Sequence, residues 1–132
     1  MSEKFFADGN SSIYAELLVF ALGGAAYGLL EAIFRGYTHW SMVLTGGACV
    51  LTIYLLSDWL MSMNLIAAAM AGALLITVYE FCVGLIVNIK LGWDVWDYSS
   101  LPYNIMGQIC PVYTFVWFTL CFIFLGLVKL LS

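Results

Sequence analysis

The sequence predicts an all-α integral membrane protein with four transmembrane helices, and three observations carry that reading. Of its 132 residues 64% are hydrophobic and 9% charged, with a mean hydropathy of +1.03, whereas a soluble domain carries about a quarter of its residues charged. The charges are spaced so that residues 17–30, 36–57, 59–79 and 98–128 contain no Asp, Glu, Lys or Arg, and a spanning helix needs about 20 mostly apolar residues. The apolar stretches are continuous runs of Leu, Ile, Ala, Met and Phe, without the alternation of a barrel strand. Soluble enzymes and nucleic-acid-binding folds are thereby excluded. The net charge of −4 bears on which acids must be placed against a bilayer, and only secondarily on partners.

The start, Met-Ser-Glu-Lys-Phe-Phe-Ala-Asp-Gly-Asn, is polar and acidic. It has no basic n-region and no small-residue cleavage site, so it does not read as a cleaved signal peptide. The four spans fall at about residues 13–34, 42–60, 64–88 and 103–130, a single four-helix domain over residues 1–132. The first connection, residues 35–41, and the second, around Ser57 to Asn64, are tight. The third, from Leu91 to Pro102, is long and rich in aromatic and acidic groups. Pro111 falls inside the fourth span, where a missing backbone donor predicts a kink. Lys4 and Lys129 on the side of the termini balance Arg35 and Lys90 on the other, so the positive-inside rule assigns no orientation. Insertion both ways round, as an antiparallel dimer, stays open.

Superimposing Glu31 on Glu80 pairs Gly24 with Ala73 and Gly28 with Thr77, and a second match sets Gly46-Gly-Ala-Cys49 against Gly107-Gln-Ile-Cys110. The chain thus reads as two parallel-repeat helical hairpins, the second with a longer connection, as recurs in transporters. Cys49, Cys82, Cys110 and Cys121 lie in the spans without CxxC spacing, and they read as packing residues rather than a zinc or disulfide framework.

The polar residues gather toward the side of loops one and three. Glu31, Arg35 and His39 end the first span, and Glu80 and Asn88 lie in the last third of the third. Asp94, Trp96, Asp97 and Tyr98 occupy the loop, while Asn104 and Gln108 begin the fourth span. An ionisable group at a helix centre costs about 2.5–3.5 kcal/mol on insertion scales, so acids kept in spans usually face a bundle interior or a wet cavity. These residues are the candidates for a substrate- or ion-binding site forming a polar vestibule in one leaflet. Glu31 and Arg35, at i and i+4, are spaced for an ion pair, either a neutralised pair or an anion clamp. Glu80 has no opposite charge within a turn of its helix, which makes it the best single candidate for a proton- or cation-coupled group; an interhelical hydrogen-bonding role is the alternative. His39 beside Trp40 reads as interfacial, and Trp93, Trp96 and Tyr98 suit an aromatic belt. No nucleophile-base constellation, HExxH or acidic metal motif occurs, so no metal or cofactor is expected.

Glu31-Ala-Ile-Phe-Arg35-Gly-Tyr-Thr-His39-Trp, then Gly46-Gly47, Glu80, Gly84, Asn88, and the Trp96-Asp-Tyr-Ser99 block followed by Pro102, Asn104 and Gly107-Gln-Ile-Cys110 resemble the bacterial membrane family labelled putative ABC transporter permease (CmpB-like). The resemblance runs from about residue 21 to 120 and corresponds to a compact, four-span version of that family. It implies a multi-pass protein of the bacterial cytoplasmic membrane and favours a site at Glu31, Arg35, Glu80 and residues 96–99. A separate nucleotide-binding subunit is possible in such a system, but the chain itself has no GxxxxGK[ST] phosphate loop. Three functions follow for testing: a small transporter or permease working as a homo-oligomer, an intramembrane lipid-acting enzyme using Glu31, Arg35, His39, Asp94 and Asp97, or a non-catalytic membrane subunit packing beside a larger partner through Gly24 and Gly28.

Overall fold

Helix formation in this chain is set by where its glycines, its prolines and its few capping side chains fall. The computed structural model describes residues 9–131; the acidic start with Glu3, Lys4 and Asp8 lies outside the described residues. Helix α1 spans Gly9–Arg35 and stops at Gly36, whose φ of +83° suits a residue without a Cβ and whose N–H closes on Ala32 O at 2.9 Å. Helix α2 spans Trp40–Leu55 and is capped by His39: the Ser41 N–H donates to Nδ1 at 3.2 Å, and the Ser41 hydroxyl lies 2.6 Å from the same atom. The single turn α3 covers Ser57–Met61. Helix α4 covers Leu65–Gly84, started by Asn64, whose side chain accepts the Ala67 N–H at 2.9 Å. It continues as a π-helix over Leu85–Lys90. Helix α5 covers Pro111–Leu131. The described residues contain no strand beyond one isolated bridge between Ile105 and Ile109.

The chain divides into two compact units, residues 1–58 and 59–132, with the boundary inside α3. The first is the α1–α2 hairpin, and its helices meet through glycine. A Cβ on Gly24 would stand 2.7 Å from Val43 O, and one on Gly47 would stand 2.7 Å from Phe20 O. Gly23 faces Val50 and Gly46 faces Tyr27. Later residues of α1 thus meet earlier residues of α2, so the helices run antiparallel with backbones close enough for dispersion along the whole seam. The Gly24 and Gly28 face is therefore filled by α2, and the expectation that it receives a larger partner is corrected by that packing.

The second unit is the α4–α5 hairpin. Leu65 packs by Gly126, Lys129 Nζ donates to Met63 O at 2.7 Å, and the hydroxyls of Thr77 and Thr114 are 3.0 Å apart. These pairs again run in opposite directions. The inner stripe of α4 is small: Ala68, Ala69, Gly72 and Ala73, then Glu80 and Gly84, are buried. The outer faces are large and apolar, with Met70, Leu74 and Val78 on α4 and Phe115, Ile123 and Leu127 on α5 all exposed. Small residues inside and large ones outside is the arrangement expected where the surroundings are hydrocarbon.

Three of the described helical segments are long and apolar enough to cross a membrane, Ile13–Arg35, Leu65–Lys90 and Pro111–Leu131; Trp40–Leu55 is a shorter apolar helix. At 1.5 Å per residue α2 reaches about 24 Å, against a hydrocarbon thickness of about 30 Å. Two expected boundaries are corrected. The second helix breaks at Leu56 (φ −95°, ψ 10°), not near residue 60. The fourth begins at Pro111, eight residues later than residue 103; proline stands at its first helical position, where no N–H is needed, and starts the helix instead of kinking it. Gly107 lies in irregular chain with φ +75° while Gly46 is helical, so the second of the two internal matches does not join equivalent structures.

The glycine seam gives the first prediction. Gly47→Val should lower the stability of the first hairpin by about 1–3 kcal/mol, the cost of overpacking a close-fitted contact, and thermal unfolding in detergent micelles should show a lower midpoint. Substitution of the exposed Leu22 by Val should leave that midpoint nearly unchanged.

Candidate functional site

The polar residues of the second unit meet where α4 turns into its π-helical end. Glu80 sits on the inner stripe of α4 and is 3% exposed. Each of its oxygens accepts one hydrogen bond from a neutral donor: the Tyr98 hydroxyl reaches Oε2 at 2.8 Å, and the Trp117 indole N–H reaches Oε1 at 3.3 Å. Tyr98 comes from the loop and Trp117 from α5, so one carboxyl ties three segments together. Tyr113 stacks on Tyr98 with centroids 4.5 Å apart and 6° between planes, and Trp117 lies 6.3 Å from Tyr113 at 41°. Glu80, Tyr98, Tyr113 and Trp117 therefore close a ring of contacts. Within this unit, no described Lys, Arg or His pairs with Glu80.

The loop of residues 91–110 is held as a fixed piece of structure by side-chain amides. Asn88 projects from the π-helix; its Oδ1 accepts the Val95 N–H at 2.7 Å and its Nδ2 donates to Gln108 Oε1 at 2.8 Å. Trp96 is buried, and its indole N–H donates to Gln108 O at 3.0 Å. The Tyr98 N–H donates to Gly107 O at 2.7 Å, which fixes the residue whose hydroxyl serves Glu80. Asn104 donates to Leu101 O at 2.9 Å and accepts from the Gly107 N–H at 3.0 Å. A π-turn carries one residue more than an α-turn and re-aims the side chains after it, and such turns concentrate at functional sites. Here the Leu91 N–H closes on Ile86 O and the Trp93 N–H on Val87 O, turning the chain back over Asn88.

Asp94 lies in this loop with φ 53°. Asp97 is exposed and accepts the Ser99 N–H at 2.9 Å. The Ser99 backbone N–H, then the Ser99 hydroxyl, hold its carboxyl below the usual carboxylate range. Gly84 is required where Gln108 and Trp96 dock: a Cβ there would collide with Gln108 Oε1 and stand 3.0 Å from Trp96 Cζ2.

The remaining candidates belong to the first unit. Arg35 Nη1 donates to Glu31 Oε1 at 2.8 Å, Nη2 donates to the Tyr37 hydroxyl at 2.7 Å, and the guanidinium lies 4.7 Å from the Tyr37 ring centroid. Glu31 is itself buried. His39 is the cap of α2, a role its place beside Trp40 does not announce. The structure thus brings Glu80, Asn88, Trp96, Asp97, Tyr98, Asn104 and Gln108 together in the second unit and Glu31, Arg35 and His39 in the first. The sequence reading missed Tyr113 and Trp117, and it named Gly84 only as part of the family resemblance. The signal available was helical spacing: Thr114, Trp117 and Cys121 recur at i, i+3 and i+7 on one face of α5, and a Tyr or Trp buried in hydrocarbon seeks a partner for its polar atom.

The sequence profile of the family described as Putative ABC-transporter type IV matches residues 26–131, which takes in all but the last residue of the second unit and the Glu31–Arg35 pair. The chain belongs to this family. No curated protein and no solved structure matches it. As a member of the family with helices of spanning length, it is a transport-related, multi-pass membrane protein in contact with lipid.

Two predictions test the loop. Gly84→Ala should displace Gln108 and Trp96, so amide hydrogen exchange over residues 91–110 should quicken at least about tenfold, reporting about 1.4 kcal/mol of lost protection. The Asp97 carboxyl is depressed, so its hold on Ser99 is complete above the ordinary carboxylate range and is lost as pH falls through the lowered value. The Ser99 amide resonance should shift in that acidic window and stay fixed between pH 5 and 8; Asp97→Ala should abolish the transition.

Proposed function

We propose that the chain is a small permease of the bacterial cytoplasmic membrane. It crosses the bilayer four times and works as a homo-oligomer, with Glu80 as the proton- or cation-coupled group of a polar site in one leaflet. The observation that carries this reading is the setting of Glu80: a fully buried carboxyl on the inner stripe of a spanning helix, served by two neutral donors and by no cation of its unit. A group that needed only to join α4 to α5 could be an amide or a hydroxyl, as the Thr77–Thr114 contact is. A carboxyl at this depth carries a desolvation cost, which is recovered where the group exchanges a proton or a cation.

Homo-oligomerisation follows from size, since four helices alone enclose only a narrow path. The binding residues of the second unit are then Glu80, Asn88, Asp94, Trp96, Asp97, Tyr98, Asn104 and Gln108, and those of the first are Glu31, Arg35 and His39. Glu31 and Glu80 at matching positions of the two hairpins fit a duplicated origin of these helices. The lipid-acting enzyme gains no support from the loop, because Asp97 is engaged with its own turn.

Proteoliposomes loaded with a pH-sensitive dye and given an imposed pH gradient test the proposal. The wild-type protein should speed collapse of the gradient over empty vesicles, and Glu80→Gln should return it to the empty-vesicle rate. Equal rates from wild type and Glu80→Gln would remove Glu80 from the mechanism.

A further inference from the structure

The geometry points to Tyr98 as the proton relay of Glu80: its hydroxyl passes the proton between Oε2 and water on the side of the loop, while Trp117 keeps Oε1 as the carbonyl oxygen. This deepens the proposed function and rests on Glu80 being its coupled group. A carboxyl that gains and loses a proton inside an apolar hairpin has to be hydrogen-bonded in both states, because a buried polar atom without a partner is costly. The two donors on Glu80 differ in what they can offer. An indole N–H only donates, whereas a phenol both donates and accepts.

With the carboxyl ionised, the Tyr98 hydroxyl donates to Oε2 at 2.8 Å and the Trp117 N–H donates to Oε1 at 3.3 Å. A proton placed on Oε1 finds no acceptor in the indole and weakens that oxygen as an acceptor for the N–H. A proton placed on Oε2 costs no bond. The new O–H donates to the phenol oxygen, the phenol turns its own hydrogen away, and Oε1 keeps the indole. Two bonds are made in either state when Oε2 is the oxygen that titrates. The distances agree: positioned groups pass a proton over about 2.6–3.2 Å, which includes the bond from Tyr98 and excludes that from Trp117.

Position sets the side from which the proton comes. Trp117 is buried, whereas Tyr98 is half-buried between the exposed polar residues Asp97 and Ser99. Its N–H is tied to Gly107 O and its ring is stacked on Tyr113, so the loop holds the hydroxyl against the carboxyl. Tyr113 brings a second phenol to the cluster, and the Asp97 carboxylate is turned to the Ser99 N–H. Uptake is one concerted step. A hydronium ion or buffer acid on the loop side gives a proton to the phenol oxygen, the phenol O–H bond breaks, and the proton it held bonds to Oε2. The phenol ends neutral, the carboxylate becomes the acid, and release runs through the same bonds in reverse.

Infrared spectroscopy of the full chain in lipid, following deuteration of the Glu80 carboxyl after transfer to heavy water, tests the relay. Tyr98→Phe keeps the ring and the backbone bond but removes the hydroxyl. It should slow deuteration at least about tenfold, a modest part of the about 10²–10⁴ that a positioned proton donor contributes. A hydroxyl that merely plugged the loop would give the opposite sign, since its loss would admit water. Trp117→Phe should leave the rate unslowed and raise the carbonyl frequency, because Oε1 loses its donor. A Tyr98→Phe rate equal to or faster than wild type, equal slowing in Trp117→Phe, or an unmoved carbonyl band in Trp117→Phe would each overturn the relay. A carboxyl band absent at every pH at which the fold persists would also overturn it and leave Glu80 to a cation. Should Tyr98→Phe slow deuteration while Glu80→Gln leaves pH-gradient collapse unchanged, the relay stands and the coupling role of Glu80 falls.

Discussion

A carboxyl cannot stay inside a hydrocarbon-embedded hairpin unless its oxygens are met by donors, and the second half of this protein is organised around meeting that need for Glu80. The donors are drawn from outside α4: a phenol from the loop and an indole from α5. Supplying the phenol requires that residues 91–110 fold back over the end of α4 and stay there. The π-helical turn, Asn88, Gln108 and the absence of a side chain at Gly84 provide that hold. One buried charge-bearing group therefore accounts for the ordered loop, for the late start of α5 at Pro111, and for the run of contacting rings from Tyr98 to Trp117.

The first unit solves a different problem by a different means. Its helices have little polar chemistry along their seam and instead gain contact by close approach, glycine against Val43, Val50, Tyr27 and Phe20. An ion pair lies at the end of α1, with Arg35 shared between Glu31 and Tyr37. Packing through small residues suits a rigid element. The second hairpin adds hydrogen bonds to one titratable group, and under the proposed function it is the element that answers to a proton or a ligand.

Much of this was legible in the chain itself, for physical reasons that can be named. Long gaps between charges mark helices because hydrocarbon tolerates few of them, and Glu80 stood out as a charge without a neighbour of opposite sign. The block Trp96 to Ser99 and the amides Asn88, Asn104 and Gln108 were legible as polar groups in apolar company. The structure of residues 103–110 was not. Ile105, Met106 and Ile109 give that stretch the hydropathy of a helix, while the backbone at Tyr103, Met106 and Gly107 takes positive φ and the Asn104 side chain takes up the hydrogen bonds a helix would have made. Hydropathy reports transfer to hydrocarbon and is blind to such competition between side chain and backbone. A partner of Glu80 was hidden for a related reason: Trp117 counts as an apolar residue in a span, and only the packing of α5 on α4 shows that its indole N–H faces inward.

The most direct test of the hold on Glu80 is infrared difference spectroscopy of the full chain in lipid, comparing the carboxyl region of wild type with that of Tyr98→Phe and using Glu80→Gln to assign the band. A band lost in Glu80→Gln and displaced in Tyr98→Phe is the predicted result, since removal of the phenol leaves Oε2 without its donor. A Glu80 band indifferent to Tyr98→Phe would contradict the central role given to the loop.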